Sequence, residues 1–177
     1  MASYQIDSQH TAAHFKVRHM MISNVKGEFS RVTGSVEFDP SNLAGSHVEV
    51  SLDSATVNTR EAQRDSHLKS FDFLDVARYP AITFRSSKIV SAGENSYEVT
   101  GDLTIRGVTH EVTLAVDSLT SEIQDPDGLL RRGASATTRI ARKDFGLTWN
   151  AVLESGGFVV GDEVDIAIDV ELVRKAT

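Results

Sequence analysis

Asp65-Ser66-His67 brings together the three residue types of a nucleophilic hydrolase triad. The types are suitable and the spacing is not, because consecutive residues of a helix point about 100° apart and cannot face one another. His10, His14 and His19 supply candidate metal ligands. An extended chain rising about 3.3 Å per residue places His10 and His14 about 13 Å apart, too far for one ion, and turns His19 to the opposite face. Asp72 and Asp75 read as capping and solvating carboxylates rather than an acid/base pair. There is no Gly-x-Ser-x-Gly elbow and no phosphate-binding glycine loop. The chain has no cysteine, so thiolate and disulfide chemistry are excluded. The residues therefore point to no catalytic group, no metal site and no cofactor.

Arg142-Lys143-Asp144-Phe145-Gly146-Leu147-Thr148-Trp149-Asn150 holds two cations beside Phe145 and the sole tryptophan. One reading is a strand end whose aromatics complete the core. The other is a cavity mouth, where cations hold an anionic head group and aromatics meet its apolar tail.

Whatever these residues do, β-strands must position them. Val99, Leu103 and Ile105 share one face against Thr100, Asp102, Thr104 and Arg106, and Val112, Leu114 and Val116 resume the pattern after Arg106-Gly107. Alternation of this kind predicts a hairpin with one apolar and one wet side. Further strands are predicted at His14 to Arg18, Val25 to Phe38, Val48 to Leu52, around Ile82 and Phe84, Ala134 to Ile140, and Val164 to Leu172. Within Val25 to Phe38 the apolar parity switches, which requires a bulge or bend near Ser30-Arg31. Turns are marked by Asp39-Pro40, Ala92-Gly93-Glu94-Asn95, Asp125-Pro126-Asp127-Gly128 and Ser155-Gly156-Gly157. Thr59 to Asp75 departs from the β pattern. It reads as a helical insertion with Asn58 or Thr59 as N-cap, a second turn capped by Ser70, and a stop before Pro80.

About eight one-sided antiparallel strands close into a barrel or stack as a sandwich, and an eight-stranded barrel is either filled by side chains or holds one small ligand. Gly27, Gly34, Gly101, Ala134 and Ala136 lie beside bulky strand residues, which is compatible both with strand curvature and with room for a ligand. A chain of 177 residues with 40% hydrophobic and 24% charged residues fits one globular domain spanning 1–177. The net charge of -7 argues against a nucleic-acid partner. No apolar run reaches the roughly 18 residues of a transmembrane helix. The first residues form neither a basic leader nor a signal-length apolar run, so the expected location is cytoplasmic.

The chain resembles the YceI-like family, lipocalin-like proteins associated with polyisoprenoid binding. The resemblance is carried by Asp7-x-x-His10-Thr11 with Phe15-x-Val17-x-His19, by Val25-x-Gly27-x-Phe29 and by Ser54 through Thr59. It continues in Arg64-Asp65-x-His67-Leu68, Phe71-x-Phe73 and Tyr79-Pro80-x-Ile82-x-Phe84-x-Ser86. It ends in Gly101-x-Leu103-Thr104-Ile105-Arg106-Gly107-Val108-Thr109 and Arg142-x-Asp144-Phe145-Gly146-Leu147. Thr11 stands where the family more usually has serine, and many members carry an export leader. The resemblance implies an all-β, eight-stranded antiparallel lipocalin-like barrel, with the short helical insertion at about residues 59–75. It also implies an elongated apolar cavity with an isoprenoid or similar long-chain amphiphilic lipid as cargo.

On that basis the expected activity is non-catalytic binding, storage or transport of such a lipid. The expected tail contacts are Phe15, Val17, Phe29, Phe84, Leu103, Ile105 and Trp149. The expected head-group contacts are Arg142 and Lys143, with Arg60 and His67 from the helical segment. Each buried methylene contributes about 0.8 kcal/mol, so roughly ten contribute about 8 kcal/mol before association costs. Two rival readings are an enzyme acting on a lipid through His19, His67 or Asp65, and a stress-associated protein-interaction module whose cavity is incidental. A homodimer is compatible with the sequence.

Overall fold

The computed structural model describes residues 1–176. Its strands are β1 (Ala2–Ile6), β2 (Ala12–His19), β3 (Ser23–Phe29), β4 (Val32–Phe38), β5 (His47–Asp53) and β6 (Val57–Asn58). After the helix α1 (Ala62–Lys69) come β7 (Ala81–Gly93), β8 (Ser96–Ile105), β9 (Val108–Asp117), β10 (Ile123–Gln124), β11 (Leu130–Ala141) and β12 (Val160–Arg174). Hydrogen bonding runs β11-β9-β8-β7-β5-β4-β1-β12, and β12 pairs back onto β11. This is the closed antiparallel barrel of eight strands.

Closure depends on two broken strands. β12 is 15 residues long, and one of its edges pairs with β1 near Leu172 and with β2 from Val160 to Asp169. β1 and β2 thus act as one barrel strand interrupted at Asp7 to Thr11. β3 and β4 form the neighbouring broken strand, with its break at Ser30-Arg31 where the parity of apolar residues switches. β1 itself has no counterpart among the strands expected from sequence, and β12 begins four residues before the expected Val164.

The predicted hairpin is present as β8 and β9, in register from Tyr97–Val116 to Ile105–Val108. Its two-residue turn places both Arg106 and Gly107 at positive φ, the geometry that matches the right-handed twist of paired strands. Farther on, β9 pairs with β11 only from Ala115 to Asp117. The gap beyond is filled by a 3-10 turn over Arg142–Phe145, whose Phe145 is buried with its ring 5.4 Å from that of His110.

The helix is shorter than the expected insertion and starts later. Its N-cap is Glu61, whose carboxylate accepts from the amides of Gln63 and Arg64, instead of Asn58 or Thr59. Asn58 accepts from the Arg60 amide, and Thr59 is held by Asp65, so both are committed just upstream. Ser70 does cap the next turn, its hydroxyl accepting from the Asp72 amide.

The apolar faces meet inside the barrel but fill only one end of it. At that end Tyr4, Ile6, Val32, Ile89, Val99 and Leu172 pack together, with Phe38 and Tyr97 edge-to-face at 5.3 Å. The Tyr4 hydroxyl donates to Glu122, and Arg132 lies over the rings of Tyr4 and Phe38. Burial pushes the Tyr4 phenol above its ordinary value, and the bond to Glu122 adds to the effect. The opposite end is hollow.

Candidate ligand-binding site

The hollow end is a cavity of about 340 Å³, near the lower limit of the roughly 300–1,000 Å³ of small-ligand sites. Its walls are the inward apolar side chains of β2, β3, β5, β7, β8, β9, β11 and β12, and its cover is α1 with the loop between Arg142 and Val160. Inward alternation places Phe15, Val17, Phe29, Phe84, Leu103 and Ile105 on the walls. Trp149 and His67 stand at the cover, with ring centroids 4.6 Å apart and nearly perpendicular, and Phe73 lies 5.0 Å from His67 and 5.3 Å from Trp149. These nine side chains, all but Phe73 expected from sequence as ligand contacts, come together around one space.

The glycines do not create that space. A Cβ on Gly27 would overlap the Phe15 ring, and one on Gly101 would overlap the Arg85 carbonyl and the Phe84 ring. Both glycines let an aromatic ring pack against the backbone, and at Gly101 β7 also shifts register against β8 between Ser86 and Lys88.

The expected head-group cations are placed differently. Arg142 borders the cavity, yet its side chain is only 3% exposed and its donors are used by the backbone. Nε donates to the Gly161 carbonyl at 2.7 Å, Nη1 to the carbonyls of Leu147 and Trp149, and Nη2 to that of Val160. Burial holds its pKa below the ordinary guanidinium value, opposed by Asp162. Arg142 is thus the clamp that fixes the cover loop. Lys143 points outward to Asp162 at 3.2 Å, and Arg60 lies exposed before the helix with φ 67°; neither lines the cavity.

Of the polar groups that line it, His67 was expected from sequence as a head-group contact and His19 only under the enzymatic reading, whereas Arg18 and Arg64 were missed. Arg64, His67 and Leu68 fall at i, i+3 and i+4 and so share the helix face turned to the cavity. Arg64 donates through Nε to the Thr59 hydroxyl at 2.7 Å and through Nη2 to the Thr59 carbonyl at 2.8 Å. Arg18 and His19, at the end of β2, line it as well. The signal was available in Arg64-Asp65-x-His67-Leu68, whose spacing is helical. His67 Nε2 lies 2.9 Å from Asp72, whereas Asp65 is occupied by the amide and hydroxyl of Thr59.

One other cluster of ligand-type residues lies outside the barrel, where Asp7, His10 and Glu171 converge. The Arg131 guanidinium already stands among them, 2.6 Å from Asp7, 2.9 Å from Glu171 and 2.6 Å from Asp125. This is an ion-pair network that ties the β1–β2 break to β11 and β12.

A closed antiparallel barrel, packed at one end and hollow at the other, defines a lipocalin-like container for a small apolar ligand. Residues 4–172 match the family model described as YceI-like domain, and the chain belongs to that family. It is 36% identical over 176 residues to a UPF0312 protein of Vibrio cholerae, covering 98% of this chain and 88% of that one. A UPF0312 protein of Azotobacter vinelandii is 38% identical over the same shares. Among solved structures, Burkholderia cenocepacia BcnA superimposes with a TM-score of 0.81 at 26% identity, covering 97% of this chain and 99% of that one. The Campylobacter jejuni YceI protein does so with a TM-score of 0.74 at 31% identity, covering 90% of each. A polyisoprenoid-binding domain from Saccharophagus degradans shares the fold with a TM-score of 0.72 at 16% identity, covering 99% of this chain and all of that one. No helix among the described residues is long and apolar enough to cross a membrane.

Proposed function

We propose that this protein binds and carries an isoprenoid or similar long-chain amphiphile, tail in the barrel and head at the cover, without chemical conversion. The observation that carries this reading is the one-ended cavity itself. Its wall is almost wholly apolar, and among its polar lining residues Arg18 and His19 end β2 while Arg64 and His67 lie on the covering helix. Such a lining matches a molecule with an apolar tail and a polar, preferably anionic, head. Membership of the YceI-like family and the polyisoprenoid-binding name of the Saccharophagus neighbour support a lipid as cargo. A cavity of about 340 Å³ encloses only part of a long chain, so the remainder leaves past Trp149 and His67.

The test is organic extraction of protein purified without detergent, followed by mass spectrometry, and titration of stripped protein with isoprenoid phosphates while following Trp149 emission. A bound isoprenoid and a saturable Trp149 response are expected. Recovery of no lipid together with an unresponsive Trp149 overturns the reading. Turnover of a lipid that is abolished by His67→Ala would replace it with the enzymatic alternative.

A further inference from the structure

At the hollow end, the β2–β3 turn and the loop between Asn150 and Val159 form a single apolar tip. The Met20 amide donates to the Val159 carbonyl at 2.8 Å, and the Met21 side chain lies against Gly157. Val152 and Phe158 face each other across an isolated antiparallel bridge, so their side chains project on one side. Exposure at this tip is high: Met21 62%, Ile22 75%, Val152 76% and Phe158 54%. Single exposed apolar residues are ordinary, whereas an adjoining group of large ones marks a contact surface.

Two further observations identify the contact. Met20 and Met21 both sit at positive φ, at 49° and 63°, where glycine or asparagine would be free of strain. The turn therefore keeps two long apolar side chains where its backbone favours others. Charge is also unevenly distributed. The segments that bound this end, residues 18–27, 60–78, 106–110 and 142–162, contain nine Lys and Arg against seven Asp and Glu; the rest of the chain contains nine against eighteen. An acidic protein thus presents its cationic end and its apolar tip together.

We infer that this end docks on the surface of an anionic lipid bilayer, with the tip inserted among the acyl chains and the surrounding cations at the headgroups. Apolar insertion and cationic attraction are the two signals that reversible membrane binding requires. The tip adjoins Arg18, His19, Val159 and Val160 of the cavity lining, so a docked molecule faces its opening to the lipid. The lipid-carrier reading supplies the purpose of this surface, while the docking itself stands on the tip and the charges.

Flotation of the full chain with phosphatidylcholine vesicles, with and without phosphatidylglycerol, tests the inference. Binding to the anionic vesicles that weakens with added salt is expected, and the double variant Ile22→Glu, Val152→Glu should lower the partition coefficient at least about tenfold. Both positions are exposed, and isoprenoid titration by Trp149 emission shows whether the variant keeps its cavity. Failure of wild type to float with either vesicle, or equal flotation of the variant, overturns the proposal. So does a dimer that the variant converts to monomer with no vesicle binding by wild type, which would assign the tip to a second copy. Flotation without any lipid response from Trp149 would retain docking and reject the carrier reading.

Discussion

The guanidinium of Arg142 donates to the main-chain carbonyl of Trp149 at 2.9 Å, so the residue that clamps the cover also fixes the ring that closes it. The clamp begins in the 3-10 turn that fills the gap between β9 and β11, and it reaches the carbonyls of Leu147, Val160 and Gly161. Asn150 continues the work, its side chain bonding both the amide and the carbonyl of Val160. One buried cation thereby connects barrel closure to the shape of the cavity mouth.

Replacing Arg142 by methionine keeps the buried stem but strands those four carbonyls. The expected cost is about 3–5 kcal/mol in urea unfolding, together with a red shift of Trp149 emission as the cover loosens. Lys143→Gln, one residue on, removes only an exposed pair with Asp162 and should cost under about 1 kcal/mol. Unchanged stability of Arg142→Met with lost binding of anionic lipid would restore Arg142 as a head-group ligand.

Gly27 and Phe15 make a second coupled pair. Gly27→Val should destabilise by about 1–3 kcal/mol, because the new side chain enters space held by the Phe15 ring and the Thr59 methyl. In a Phe15→Leu background the same change should cost at least about 1 kcal/mol less. Additive effects in that double-mutant cycle would show that the glycine serves backbone shape alone.

These pairs also show where sequence is legible. Alternation along β8, β9 and β12 depends only on which side chains need burial, so strand faces and the Ser30-Arg31 break could be read from residue types, whereas the cavity they enclose was expected only from the family resemblance. β1 escaped because Tyr4 and Ile6 are its only large inward residues and its edges are completed by β4 and β12, far away in sequence. Arg64, beside the expected His67 on the inward face of α1, escaped because a polar inward residue hides a helical period. Arg142 looked like a ligand for an external anion because its acceptors are carbonyls, which every residue possesses and no residue type reveals.

Acid should weaken the network outside the barrel in a defined window. The hydrogen bond from His10, followed by that from Arg131, holds the Asp7 carboxyl down at about 2 from its ordinary 3.8. A depressed carboxyl stabilises the fold fully above its unfolded value and loses that contribution as pH falls through the folded one. Stability should therefore drop between about pH 4 and pH 2, and Asp7→Asn should flatten part of that slope while costing about 1–3 kcal/mol at neutral pH. Asp125, which also bonds Arg131 and is likewise lowered, keeps the remainder. His10 is raised chiefly by Asp7, so its contribution is present below about 6.5 and fades as pH rises through its folded value. Identical acid slopes for wild type and Asp7→Asn would remove Asp7 from this account.

Filling the hollow end separates a ligand site from a packing defect. Leu114 lines the cavity from β9, between Val112 and Val116 on the same face. Leu114→Trp places an indole in that space and should reduce co-purifying lipid at least about tenfold, with a change in unfolding free energy of no more than about 1–3 kcal/mol. A ligand that binds only the folded state adds about 2.7 kcal/mol at a hundred times its dissociation constant, so stripping lipid should lower the wild-type midpoint. The same stripping should leave Leu114→Trp unmoved, because it has little left to lose. Equal responses of the two proteins to stripping would place the lipid outside the barrel, and a wild type that neither carries lipid nor shifts on stripping would make the cavity an unfilled core.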